Sequence, residues 1–412
     1  MSSSGFYIDA NGGHALKNFQ YNGADNSLIY AYILKPLAKF LVNTCVPTNI
    51  APNSITLFGL AWMMTSYIIM SYYCPNLDDG LQNSANIPQW IFFFNGIAML
   101  VYQTLDNMDG VQARATGSSS PLGLLFDHGC DAFNVVLGST NWMCAIGIGS
   151  GTNDLWAMAV MVFFPMTLFY ISTWEEYHTG KLVLPIINGP TEGLLLGACQ
   201  MFISAAYGVS YWHETSIYEH ISPKLLPLLP SFLVNSIPES GLRNLDILLS
   251  ITVILGIQEG LLKVISVSYK HGIHSIASLF PMIKLVCVTL VVGMNLPHLI
   301  TRNPRIFLNL SSALFVEMAT GLMLNHMTHS TFQSLRWSLL PFFFLVSFST
   351  SMTEIQQDLF LYSYAFGMFV YLSFKINVIV HEICATLRIW CFDIVSPYNN
   401  SGIVANGTKK NL

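Results

Sequence analysis

Apolar stretches separated by short polar segments recur along nearly the whole chain. About 20 consecutive apolar residues are needed for a helix to cross the hydrocarbon core of a bilayer. About ten segments approach this length, at residues 54–73, 89–109, 121–148, 155–176, 190–211, 244–267, 275–297, 306–327, 336–353 and 359–386. The pattern predicts an all-α fold, that of a polytopic membrane protein with about ten transmembrane helices.

The segments outside these helices differ in character. Residues 1–28 are polar and have neither the charged nor the apolar region of a signal peptide. Residues 29–46 are apolar but contain two lysines, which favours an amphipathic helix in the membrane interface over a loop. Residues 216–243 are rich in proline and are expected to form the largest loop, and residues 391–412 to form a polar tail.

Composition supports a membrane protein and narrows its partners. The chain is 53% hydrophobic and 9% charged, whereas soluble domains contain about 25% charged residues. The net charge is −5 and no basic patch is present, so nucleic acid is not an expected partner. The eight cysteines show no CxxC spacing, so we expect neither zinc ligands nor a disulfide framework.

Lysine and arginine near the helix ends predict the orientation in the membrane, because such residues are enriched on the cytosolic side. With a cytosolic N-terminus, most of them fall in the cytosol. The exceptions are Lys224, Arg243, Arg302 and Arg305. This orientation places both chain ends in the cytosol, together with the acidic cluster described next.

Four aspartates lie on the second and third predicted transmembrane helices. A carboxylate within a membrane costs free energy unless a cation neutralises its charge. Asp106 and Asp109 are followed by Gly110, Ala113 and Arg114. This spacing places all five residues on one face of a helix. The small residues leave room for a large ligand, and the arginine can bind a phosphate in a forked geometry.

The next helix repeats the arrangement, with Gly123, Asp127 and Asp131 spaced four residues apart. Together, the two faces predict a box of four carboxylates with a glycine on each wall. Such hard oxygen ligands suit Mg²⁺, Mn²⁺ or Ca²⁺ rather than zinc, and paired metals can clamp a diphosphate. Helix capping or pairing with Arg114 is the alternative, but it accounts for only one or two of the four aspartates.

At these residues the sequence resembles the CDP-alcohol phosphotransferase family, whose signature is D-x2-D-G-x2-A-R-x8-G-x3-D-x3-D. Every fixed position of the signature is matched between Asp106 and Asp131. The text around it resembles the eukaryotic choline/ethanolaminephosphotransferase branch, in the segments APNSITL at 51–57, SSSPLG and LFDHGCD within 118–131, and WEEYHTGKLVLPIINGPTEG at 174–193.

The resemblance implies a reaction and a setting. The enzyme would transfer phosphocholine or phosphoethanolamine from CDP-choline or CDP-ethanolamine to diacylglycerol and release CMP. It would use Mg²⁺ or Mn²⁺, form a homodimer, and lie in the endoplasmic reticulum or Golgi membrane with its active site facing the cytosol. Residues 47–215 would form the catalytic part, and residues 244–390 would form the lipid chamber and the dimer contact.

The resemblance also implies residue roles. The expected metal ligands are Asp106, Asp109, Asp127 and Asp131. The residues expected to bind the cytidine diphosphate are Asn53, Gly110, Ala113, Arg114 and Gly123.

A base must accept the proton of the diacylglycerol hydroxyl. His128 is the first candidate, because imidazole titrates near neutral pH and the residue neighbours Asp127. Asp131 is the alternative that the wider family suggests, although a bound metal would lower its pKa and weaken it as a base. A structural role for His128, with its ring bonded to a backbone carbonyl, also stays open.

The sequence departs from the branch at three positions. Leu124 stands where the branch usually has glutamate, and Val111 and Ala115 stand where lysine and arginine are common. The missing glutamate leaves the base assignment and the head-group preference open, and it favours a non-catalytic paralogue as one rival. Because the metal and nucleotide positions are intact, we expect an active enzyme.

Two further rivals have less support. Family members that use CDP-diacylglycerol and a soluble alcohol are shorter and have fewer helices. A cation transporter would need polar groups across the whole membrane, whereas these acids cluster at one end.

Two other groups of charged residues stand out. Glu175, Glu176, His178 and Lys181 are expected to form a charged cytosolic loop next to the site, which is either solvated, the favoured interpretation, or helps to gate the nucleotide. Lys284 and Lys375, inside apolar helices, are expected to pair with a buried acid such as Glu317, to extend to the interface, or to mark a misplaced boundary.

Overall fold

The structure, a computed structural model, describes residues 5–82, 87–149, 155–228 and 230–394. Its α-helices are α1 (Ala10–Asn18), α2 (Lys35–Cys45), α3 (Pro52–Tyr73), α4 (Asp79–Gln82), α5 (Trp90–Thr116), α6 (Pro121–Ile146), α7 (Leu155–Thr179), α8 (Leu194–Tyr207), α9 (Ser216–Leu225), α10 (Ser231–Val234), α11 (Asn244–His271), α12 (Phe280–Asn295), α13 (Pro297–Arg302), α14 (Pro304–Thr328), α15 (Leu340–Phe348) and α16 (Glu354–Leu387). Short 3₁₀ or π turns are Tyr30–Leu34, Gly189–Gly193, Val209–His213, Leu226–Leu228, Ile273–Leu279, Trp337–Leu339 and Ser349–Ser351. The strands are β1 (Gly23–Asp25) and β2 (Leu182–Leu184).

The all-α membrane fold is confirmed. Among the described residues, six helices are long and apolar enough to cross a membrane, namely Pro52–Tyr73, Ala157–Thr179, Asn244–His271, Ile273–Asn295, Pro304–Thr328 and Glu354–Leu387. A pair bent by 109°, Gly189–Tyr207 and Val209–Lys224, would make a seventh span. Each of the ten predicted segments contains a helix, but the count of about ten spans stays a prediction. Helices α5 and α6 are long enough, yet the aspartates and amides they carry make them less apolar.

A tight turn between α5 and α6 brings the two signature halves together. Gly117 ends α5 with φ +68°, in the left-handed region that glycine adopts without strain. The Ser120 hydroxyl then caps α6 by accepting a hydrogen bond from the Gly123 amide at 3.1 Å. Pro121 occupies the first turn of α6, where its missing N–H is not needed.

The helices pack around one main apolar core. Helices α3, α5, α6 and α8 form one group, and α14 connects it to α7 and α16. Helix α14 is buried along most of its length. The signature helices are therefore held between the first spans and the C-terminal ones.

The N-terminal segment folds back over the helical body, which the sequence did not predict. Strand β1 pairs in parallel with β2, with Ala24 opposite Val183. Helix α1 packs against α14 and α16. The Ser27 hydroxyl donates a hydrogen bond to Glu192 at 2.5 Å, and Glu382 accepts one from the Ile8 amide at 2.9 Å.

Three segments outside the long helices bear on other expectations. Residues 29–46 are helical, as predicted, through the π turn at Tyr30–Leu34 and α2, while their place in the membrane interface stays a prediction. Residues 216–243, expected to be a loop, contain α9 and α10. Most of the predicted polar tail, residues 395–412, lies outside the described residues.

Candidate metal and nucleotide site

Three of the four signature aspartates converge. Asp106 on α5 and Asp127 and Asp131 on α6 each offer a carboxylate oxygen, and these oxygens lie within 4.8 Å of one another. The Tyr102 hydroxyl donates a hydrogen bond to Asp131 at 2.8 Å. One oxygen each of Asp106 and Asp127 is buried without a hydrogen-bond partner among the described residues. Converging carboxylates with unpaired oxygens fit a divalent cation such as Mg²⁺ or Mn²⁺.

The position of Asp109 differs from the one expected in a box of four carboxylates. Its carboxylate is not in the converging group, and it accepts a hydrogen bond from the Thr56 hydroxyl of α3. A residue three positions after Asp106 is rotated by about 60° around the helix axis, and here this rotation turns Asp109 toward α3. The cluster seen in the structure is therefore a triad, and a metal-binding role for Asp109 stays a prediction.

The small residues of the signature leave space beside the aspartates. A methyl group on Gly110 would lie 3.4 Å from Nη1 of Arg114, so the guanidinium folds back over this glycine. Arg114 itself is exposed, one turn beyond the acidic residues, and Ala113 is half-buried beside it. This arrangement leaves an accessible cation next to the triad, as expected for a phosphate-binding face.

Asn53 lies at the same end of the bundle but has a partner. Its amide donates a hydrogen bond to the Cys391 carbonyl at 2.9 Å. A methyl group on Gly123 would lie 3.7 Å from the Asn53 side-chain oxygen, so the glycine leaves room beside the asparagine. Contacts of Asn53 and Gly123 with a nucleotide stay predictions.

His128 is half-buried on α6 and meets a residue that sequence reasoning missed. The Tyr21 ring stands edge-on to the imidazole, with 6.1 Å between ring centres. Burial raises the pKa of the Tyr21 hydroxyl, and the carboxylates of Glu176 and Asp127 near it add to the effect. Tyr21 thus contacts His128 and lies within the electrostatic range of the acidic groups. No local signal marks it, because its position depends on the folding back of the N-terminal segment.

The expectation of a solvated loop is wrong for Glu175, Glu176 and His178. Helix α7 continues to Thr179, and Glu176 is only 4% exposed, whereas Lys181 lies beyond the helix and is exposed. The neighbouring Glu175 forms an ion pair of 3.3 Å with Lys263 on α11. Packing of α7 against α6 and α11 buries this charged stretch. The burial of Glu176 therefore could not be predicted from composition.

Leu124, the departure from the branch, packs into an apolar cluster with residues of α1, α14 and α16. No carboxylate is available at that position to orient His128. Among the described residues, Glu176 of α7 is a buried acid whose charge acts on Tyr21, and the Tyr21 ring contacts the imidazole.

Comparison with known proteins agrees with the site. Residues 49–217 match the sequence model of the CDP-alcohol phosphatidyltransferase family. The chain is 29% identical over 396 residues to Uncharacterized CDP-alcohol phosphatidyltransferase class-I family protein 3 of Dictyostelium discoideum, covering 92% of this chain and 96% of that protein.

Two relatives with named activities match a shorter region. Identity is 40% over 208 residues to Choline/ethanolaminephosphotransferase 2 of Arabidopsis thaliana, covering 50% of each chain. Identity is 34% over 251 residues to Choline/ethanolaminephosphotransferase 1 of Saccharomyces cerevisiae, covering 59% of this chain and 61% of that protein. The chain thus spans about half to three-fifths of the length of these relatives.

The matched region contains the aspartate triad, His128, Asn53 and the small residues of the signature. The resemblance found in the sequence is confirmed. Residues 49–217 of this chain therefore resemble the domain of the CDP-alcohol phosphatidyltransferase family, and they include every residue of the signature.

Proposed function

We propose that this protein transfers phosphocholine or phosphoethanolamine from CDP-choline or CDP-ethanolamine to diacylglycerol. The products are phosphatidylcholine or phosphatidylethanolamine and CMP. The observation that carries the proposal is the half-buried triad of Asp106, Asp127 and Asp131 inside the matched region, since two of the three aspartates have a buried oxygen without a hydrogen-bond partner among the described residues. The names of the Arabidopsis and yeast relatives support the choice of substrates.

The triad would hold Mg²⁺ or Mn²⁺, with Asp109 beside it. When bound, the metal neutralises the charge of the diphosphate and of the departing CMP. Arg114 extends from the same helix face and binds phosphate oxygens as a fixed cation. Gly110, Ala113 and Gly123 leave space for the nucleotide, and Asn53 closes one side of that space.

In the reaction, the diacylglycerol hydroxyl oxygen attacks the β-phosphorus of the donor. The bond from that phosphorus to the bridging oxygen breaks, and CMP leaves with the electron pair. His128 accepts the hydroxyl proton, because it neighbours Asp127 on α6 and is not itself a ligand of the metal, which would weaken a carboxylate as a base. The Tyr21 ring packs edge-on against the imidazole and positions it.

The surroundings fit a lipid acceptor. Helices α7, α11, α14 and α16, and the segment Ile273–Asn295 that contains α12, are apolar and long enough to cross a membrane. Diacylglycerol would enter from the bilayer, whereas the soluble nucleotide would enter at the end that carries Arg114. We propose a homodimer in the endoplasmic reticulum or Golgi membrane, with this end in the cytosol.

The test is product formation by purified protein in detergent–lipid micelles with diacylglycerol and Mg²⁺. CDP-choline and CDP-ethanolamine are offered separately. We expect phospholipid from at least one donor, none from Asp127→Ala, and full activity from Asp79→Ala, which removes an aspartate outside the signature. If product forms only from CDP-diacylglycerol and a soluble alcohol, the proposed substrates are wrong. If no donor gives product, the proposed enzymatic activity is wrong.

A further inference from the structure

A second cluster of charged side chains is buried in the C-terminal half of the molecule. Lys375 on α16 lies 2.5 Å from an Oε1 oxygen of Glu317 on α14, so one of the pairings expected from the sequence is confirmed. Arg336, in the segment before α15, approaches the same oxygen at 3.5 Å. The three side chains are 4–14% exposed. Two cations share one carboxylate, which leaves an excess of positive charge in an apolar interior.

The excess charge is accompanied by unused hydrogen-bond donors. Nε and Nη2 of Arg336 are buried and have no hydrogen-bond partner among the described residues. These two nitrogens form one edge of the guanidinium, the edge that binds two oxygens of a phosphate or carboxylate side by side. The guanidinium carbon lies 4.2 Å from the centre of the Phe332 ring, and this stacking fixes the plane of the fork.

A glycine lets both cations approach the backbone of α14. A methyl group on Gly321, one turn after Glu317, would lie 3.3 Å from Nη2 of Arg336, 3.5 Å from its Nη1 and 3.7 Å from Nζ of Lys375. Both cations therefore converge over the surface of α14 where the side chain is missing.

The cluster is separate from the metal triad. Gly129, between Asp127 and Asp131 on α6, faces Thr320 of α14, because a methyl group placed on Gly129 would lie 3.9 Å from the threonine side chain. Gly129 is two positions from each aspartate, so it is rotated by about 200° from them around the helix axis. The triad and the charged cluster therefore lie on opposite sides of α6.

The ligand is most simply an anion with two oxygens that reaches the site from the bilayer. Helices α14 and α16 are both long and apolar enough to cross a membrane. The α16 residues near Lys375 face outward, since Phe374 is 57% and Tyr371 41% exposed. We propose that Arg336 and Lys375 bind the phosphate group of a phospholipid. The site does not depend on the catalytic reaction, because none of its residues belongs to the signature.

The test compares two lipids that differ only by a phosphate. Full-length protein in an alkyl-maltoside detergent is heated with increasing phosphatidic acid or with diacylglycerol of the same acyl chains. A ligand that binds only the folded state raises Tm, and above the dissociation constant the rise grows with the logarithm of its concentration. We expect a larger rise with phosphatidic acid than with diacylglycerol. Arg336→Gln, which keeps the Lys375–Glu317 pair, should need an about tenfold or higher phosphatidic acid concentration for the same rise in Tm, as the loss of a charged hydrogen bond predicts.

Controls separate this site from a purely structural ion cluster. Arg302→Gln removes the same charge from an exposed pair with Glu354, and it should respond like the wild type. Gly321→Ala keeps every charge but crowds Nη2 of Arg336, so it should weaken the rise in Tm with phosphatidic acid. This variant keeps the test available if Arg336→Gln does not fold. An equal response of wild type and both variants would overturn the proposal. An equal response to inorganic phosphate would overturn the assignment to a lipid.

Discussion

At the scale of single residues, two aspartates of the same helix face have different partners. Asp106 has a buried oxygen with no partner among the described residues, whereas Asp109 accepts the Thr56 hydroxyl. Groups that hydrogen-bond to a metal ligand fix its orientation and tune its affinity. We infer that Thr56 holds the Asp109 carboxylate close to the triad without placing it in the triad.

Thr56→Val therefore tests the arrangement around the metal. The substitution keeps the shape of the side chain and removes the donor. We expect the Mn²⁺ concentration for half-maximal turnover to rise about 10- to 100-fold, the range found when such supporting groups are lost. Thr65→Val is the matched control, since its hydroxyl bonds only to the Ala61 carbonyl of its own helix. An unchanged Mn²⁺ dependence would show that Thr56 has no such role.

Glu176 and Glu175 form a natural pair for a second prediction. The charge of Glu176 acts on Tyr21, whereas Glu175 pairs with Lys263 on α11. Glu176→Gln should lower kcat about 100-fold, the lower range for loss of a group that supports proton transfer. It should also change the pH profile of kcat, because it removes a titrating group. Glu175→Gln should leave that profile as it is, and identical effects of both substitutions would contradict the assignment.

At the scale of elements, the turn between α5 and α6 determines how the two halves of the signature meet. Gly117 is in the left-handed region, and no atom lies within 4 Å of a built methyl group. Substitution there is therefore strained by backbone conformation and not by crowding. Ser120 adds a side-chain cap to α6, so both residues fix the start of the helix that carries Asp127.

Gly117→Ala is expected to destabilise the protein by about 1 kcal/mol and to weaken metal binding, because the strain shifts α6 relative to α5. Gly180→Ala is a matched control at the end of α7, with the same φ of +68° and equally open space. Thermal unfolding should show a similar loss of Tm in both variants. Only Gly117→Ala should need more Mn²⁺ for half-maximal turnover, and equal metal dependence would contradict the role of the turn.

The elements also show what a sequence can reveal. Helices follow from local periodicity and capping, so all ten predicted segments contain one. The signature helices could be placed on common faces, because spacing fixes the direction of a side chain around a helix axis. The β1–β2 pair could not be predicted, since Asn26 bonds to Leu184, 158 residues away, and three-residue strands have no periodic signal.

At the scale of the whole molecule, tertiary packing decided the rest. Spacing predicted a box of four carboxylates, but the neighbouring Thr56 of α3 takes Asp109 out of the group. Charge suggested a solvated loop around Glu176, but α6 and α11 bury that end of α7. Tyr21 reaches His128 only because the N-terminal segment folds over the site. These three differences from the sequence-based expectations have one cause. In each case the residue contacts an element that is distant in the sequence.

We infer that the triad of Asp106, Asp127 and Asp131 holds a divalent metal. This is tested by Mn²⁺ binding to purified, metal-free protein, followed by electron paramagnetic resonance without any substrate. We expect saturable binding by the wild type and by Asp79→Asn, and binding at least about tenfold weaker in Asp127→Asn. Binding by Asp127→Asn with the affinity of the wild type would exclude the triad as the metal site.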